Sequence, residues 1–124
     1  MNSARPSLDE FRSLAREYTV VPVWREVLAD LETPVSAFLK LVGDGDGFLL
    51  ESVEHGQHWG RFSFIGRNPV VTLIARGLQV SAVGELPRGV PTDAGALCAL
   101  EALLTHYRAP QFDELPPFHG GVVG

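Results

Sequence analysis

The stretch from Phe48 to Gly66, FLLESVEHGQHWGRFSFIG, constrains the fold more than any other part of the chain. An apolar run, Phe48-Leu49-Leu50, ends on Glu51 and Ser52. A polar turn from His55 to His58 follows, and an aromatic-rich return from Trp59 to Ile65 carries Arg61 beside that turn. Strand-forming residues on both sides of a turn containing Gly56 predict a hairpin whose second strand Gly66 closes. Leu49 and Leu50 predict a buried strand, and a carboxylate placed next to them needs a partner or water. A ligand ammonium is one such partner. Side chains alternate across a strand, so Glu51 and Ser52 meet the same ligand only where the strand ends or bulges. The ligand-free alternative is a half-buried edge strand with Glu51 paired to Arg61 or solvated.

The flanking segments supply helices and further strands. Ser7-Leu8-Asp9-Glu10 has the form of a capping box, predicting a short helix to about Arg16 with Phe11, Leu14 and Ala15 as its apolar stripe. Val20-Val21-Pro22-Val23-Trp24 reads as a strand, with Pro22 confining it to an edge or bulge. Thr33-Pro34 predicts an N-cap and first helical position, Phe38, Leu41 and Val42 a buried face, and Gly43 the end. Val70–Ala75 and Leu78–Val83 predict two strands joined by Arg76-Gly77. Thr92 or Asp93 is expected to cap a helix to about Tyr107, with Leu97, Leu100, Leu104 and Tyr107 facing the core and Gly95 weakening its first turn. The expected class is α+β: an antiparallel sheet built as a meander of hairpins, with flanking helices.

Composition narrows the function classes. With 124 residues and 45% hydrophobic content the chain suits about one globular domain. A net charge of −5 and the absence of a basic stripe argue against nucleic acid. No apolar run approaches the roughly 20 residues of a membrane span, and the N-terminus lacks a signal-peptide core, so cytoplasm is the expected location. The single cysteine, Cys98, gives no internal disulfide; on an apolar helical face it reads as a buried structural thiol.

Tests for catalytic chemistry return little. His55-x-x-His58 lacks the further ligands that zinc requires, and Asp44-Gly45-Asp46-Gly47 lacks the rest of a calcium loop. Gly43, Gly45 and Gly47 alternate without the lysine of a phosphate loop. No nucleophile and general base stand at recognisable spacing. Neither catalytic nor metal-binding residues are expected in this chain. The closing Phe118–Gly124 segment reads as the opening of a new strand, which suggests a truncated chain whose sheet continues elsewhere.

Three blocks carry a family resemblance: VVPVWREVLADLETPVSAFLKL (Val20 to Leu41), FLLESVE (Phe48 to Glu54) and WGRFSFIGRNP (Trp59 to Pro69). In order and spacing they resemble the N-terminal region of the large subunit of anthranilate synthase, component I, and the closing HGGVVG is similar to that family's next strand. The resemblance implies the N-terminal, tryptophan-sensing part of a chorismate-utilising enzyme. Its chorismate- and Mg2+-binding part would lie outside residues 1–124, and its ammonia would come from a glutamine amidotransferase subunit, component II. By the same resemblance Leu50, Glu51 and Ser52 belong to the pocket for tryptophan as feedback inhibitor, with Arg61 the candidate basic residue on the returning strand. Aminodeoxychorismate synthase component I is the related alternative, and a stand-alone non-catalytic small-molecule-binding or interaction module is the alternative of a different class.

Overall fold

The computed structural model describes residues 3–51 and 62–124. In chain order the elements are α1 (Leu8–Leu14), α2 (Pro34–Leu41), β1 (Gly47–Glu51), β2 (Ser63–Arg67), β3 (Val71–Arg76), β4 (Gln79–Gly84) and α3 (Ala96–His106). They fall into two compact units, Leu28–Val70 and a larger one made of Met1–Val27 with Val71–Gly124. The class is α+β with antiparallel hairpins, as the sequence implies. Among the described residues the hairpins β1–β2 and β3–β4 form separate two-stranded sheets rather than one continuous meander.

In the larger unit, α1 starts where its capping box puts it. The Ser7 hydroxyl accepts from the Glu10 amide at 3.3 Å, and the Ser7 amide donates to Glu10 Oε2 at 2.8 Å. That amide, followed by the Ser7 hydroxyl, holds the Glu10 carboxyl below its ordinary value. The expected strand at Val20–Trp24 does not form; a single bridge pairs Arg5 with Trp24. Pro22 has no amide to offer, and the amides of Thr19 and Val20 both donate to the Arg108 carbonyl at 3.0 Å, leaving no ladder to extend. Thr19 Oγ1 also donates to the His106 carbonyl and accepts from the Arg108 amide, each at 2.7 Å. Trp24 packs against Phe112 with ring centroids 4.8 Å apart, a contact worth about 0.5–1.5 kcal/mol beyond area burial.

The same unit holds the buried core, in which α3 lies on the β3–β4 hairpin and Val80, Ala99 and Leu103 are removed from solvent. The buried stripe differs from the expected one: Leu97 is 82% and Leu104 59% exposed. Ala99 is two residues from Leu97, about 200° around the helix, and its small side chain sets the face that approaches the hairpin. Cys98, beside Leu97, is exposed rather than a buried thiol. The helix cap is Gly95, not Thr92 or Asp93. Gly95 takes φ +88°, and its amide donates to the Leu78 carbonyl at 2.9 Å, while the Thr92 carbonyl accepts from the Val80 amide at 2.8 Å. The hairpin therefore sets where α3 begins, and Gly95 supplies a positive-φ, extended residue ahead of the helix rather than a weak helical residue. The strands are offset by one residue from expectation, so the connection is Gly77-Leu78, with Gly77 at φ +61°. Residues 118–124 form no strand, and the backbone bends at 119–120.

In the smaller unit, the Thr33 hydroxyl accepts from the Ser36 amide at 3.1 Å and the Thr33 amide donates to Ser36 Oγ at 2.9 Å, with Pro34 opening the helix. Glu32 accepts from Ser36 Oγ at 2.6 Å and pairs with Lys40. Lys40 first and Ser36 second hold the Glu32 carboxyl below its ordinary value. Phe38 and Val42 are half-buried as a helical face should be, whereas Leu41 is 50% exposed. Gly43, at φ +59°, follows the helix end.

The β1–β2 ladder fixes the local geometry of this unit. Its register runs without interruption from Gly47 opposite Arg67 to Glu51 opposite Ser63. Gly66 therefore lies inside β2, paired with Phe48, rather than closing the strand. A Cβ on Gly66 would fall 2.1 Å from Phe48 Cε1, so the bare backbone is what lets the ring lie across the partner strand. A Cβ on Gly47 would stand 2.6 Å from both the Gly66 carbonyl oxygen and Val42 Cγ1, which makes Gly47 the point of close approach between β1, β2 and α2. Arg67 Nη1 donates to the Leu41 carbonyl at 2.8 Å and satisfies one of the acceptors at the end of α2.

Candidate functional site

The candidate site is built on the distal end of the β1–β2 ladder. Strand alternation puts Phe48, Leu50, Phe62 and Phe64 on one face of the hairpin, and Leu49, Glu51, Ser63 and Ile65 on the other. The second face is the one against α2, because the missing Cβ of Gly47, on that same face, is directed at Val42. On the first face Leu50 stands opposite Phe64, and the Phe62 and Phe64 rings stack with centroids 6.2 Å apart. Leu50 is 42% exposed and Phe62 48% exposed, so this face is a partly open apolar surface. The sequence predicts Leu49 and Leu50 buried; Leu49 is half-buried and Leu50 more exposed, because among the described helices only α2 packs on this hairpin, and it lies on the Leu49 face.

Glu51 is exposed and occupies the last pair of the ladder, opposite Ser63. No described cation forms an ion pair with its carboxylate. Because the strand stays regular through Glu51, the side chains of Leu50 and Glu51 point to opposite faces. A single small ligand meets both only by sitting across the strand end. Ser52 and Arg61, the other two residues of the expected site, lie outside the described residues, as do His55 and His58. The structure thus brings Leu50 together with three phenylalanines and leaves Glu51 with an accessible carboxylate. The aromatic residues that share the Leu50 face are not among the site residues expected from the sequence, although the alternation in Phe62-Ser63-Phe64 carries that information.

Among the described residues the other sequence candidates gather no site. Among the described residues no group of three or more His, Cys, Asp or Glu is placed to hold a metal ion, so Asp44 and Asp46 remain loop carboxylates. Cys98 lies on the rim of an open recess of about 560 Å3 between residues 88–91 and α3, along with Arg88, Glu101 and His106. Among the described residues, no helix is long and apolar enough to cross a membrane.

Comparison with known proteins carries the resemblance across nearly the whole chain. It is 43% identical over 120 residues to anthranilate synthase component 1 of Arthrobacter globiformis, an alignment covering 96% of this chain and 23% of that protein. It is 44% identical over 119 residues to the protein of the same name from Mycolicibacterium smegmatis, covering 95% of this chain and 23% of the relative. The Mycobacterium tuberculosis protein of that name is 46% identical over 127 residues, covering 98% of this chain and 24% of the relative. No family model matches. The resemblance to anthranilate synthase component I is thus shown along this chain, which spans about a quarter of the length of the curated relatives it matches.

Proposed function

We propose that this chain is the N-terminal quarter of an anthranilate synthase component I, the cytoplasmic subunit that makes anthranilate from chorismate with ammonia delivered by a glutamine amidotransferase partner. The observation that carries this reading is the 43–46% identity sustained over at least 95% of the chain. The names of those relatives favour anthranilate over the aminodeoxychorismate branch. Chorismate and Mg2+ are assigned to the part of the protein outside this chain. The described residues do not suit the metal, since they offer no cluster of ligands. The chain by itself is accordingly expected to be inactive. Purified 124-residue protein given chorismate, Mg2+ and ammonia should show no anthranilate fluorescence, and turnover would overturn that assignment.

Within the whole enzyme, the role of this part is to sense tryptophan at the end of β1. The Glu51 carboxylate is open to solvent and suits an ammonium, Leu50 supplies apolar surface, and Ser52 and Arg61 suit a carboxylate. Binding there inhibits only if tryptophan prefers a less active conformation, since equal affinity for both states shifts nothing. Tryptophan titration of chorismate turnover by full-length enzyme tests the site. Glu51→Gln and Ser52→Ala should each weaken inhibition about ten- to a hundredfold, the equivalent of one lost charge-assisted hydrogen bond of about 1.5–3 kcal/mol, with uninhibited turnover close to wild type. Unchanged inhibition curves would reduce the pair to a strand end, and lost turnover at zero tryptophan would place it in the chemistry instead.

A further inference from the structure

We draw no further inference here: the strongest candidate, the open recess between residues 88–91 and α3 that carries Arg88, Cys98, Glu101 and His106, is rimmed by exposed polar side chains and, among the described residues, holds no buried polar group without a partner, so nothing in the structure shows what fills it.

Discussion

Replacing Gly47 by alanine tests whether the close approach of β1, β2 and α2 is what holds the candidate site in shape. The added methyl would lie 2.6 Å from the Gly66 carbonyl oxygen and 2.6 Å from Val42 Cγ1, against the 3.4 Å or more of an ordinary contact. The first of these neighbours is backbone in the partner strand, and it cannot retreat without loosening the pairing of Gly47 with Arg67 and Phe48 with Gly66. Overpacking of this kind costs about 1–3 kcal/mol. Gly47 is not in the left-handed region, so alanine also gains about 0.4–1 kcal/mol from its narrower unfolded ensemble. Contacts at 2.6 Å belong to the upper part of the overpacking range, about 2–3 kcal/mol, so the net loss is about 1–2.6 kcal/mol, a factor of about 5–80 in the local opening equilibrium. Native-state hydrogen exchange of the β1 and β2 amides reads that factor directly. Gly120→Ala serves as the control, because a Cβ there meets nothing within 4 Å and the backbone is not left-handed. Protection of β1 and β2 in Gly47→Ala within twofold of wild type would refute the packing argument.

Thr19→Val removes the hydroxyl that donates to the His106 carbonyl and accepts from the Arg108 amide while keeping the side chain's shape, and should cost about 1–2 kcal/mol for two solvent-accessible hydrogen bonds. A denaturation midpoint equal to wild type would count against that clamp. Stability should also decline in acid: Glu10 and Glu32 are held below their ordinary value of 4.5, so in the folded chain they bind protons less readily than in the unfolded chain. Their contribution is complete above the unfolded value and is lost as pH falls from about 4.5 through the lower folded values, a trend that Glu10→Gln with Glu32→Gln should flatten in urea titrations between pH 6 and pH 3.

The parts of the fold legible in the sequence are those whose partners sit within one helical turn or one hairpin. Ser7 with Glu10 and Thr33 with Ser36 are capping pairs three residues apart, so α1 and α2 announce their own starts. The β1–β2 pairing follows from residue preference in the two segments it joins, and Glu51 at its end is visible as a carboxylate following an apolar run. Tertiary structure decided the rest, because the deciding atoms are remote in the chain. Val20–Trp24 has the composition of a strand, yet Arg108 takes the amides of Thr19 and Val20 and Pro22 has none, so only the Arg5–Trp24 bridge remains. Every stripe of α3 carries leucine or alanine, so periodicity alone does not choose among them. The hairpin chooses Ala99 and Leu103, and through the Leu78 carbonyl it chooses Gly95 as the cap. At the site itself, residue types showed what chemistry is present, but the unbroken register of β1 settled that Leu50 and Glu51 look to opposite faces, since pairing with a second strand fixes the direction of every side chain on the first.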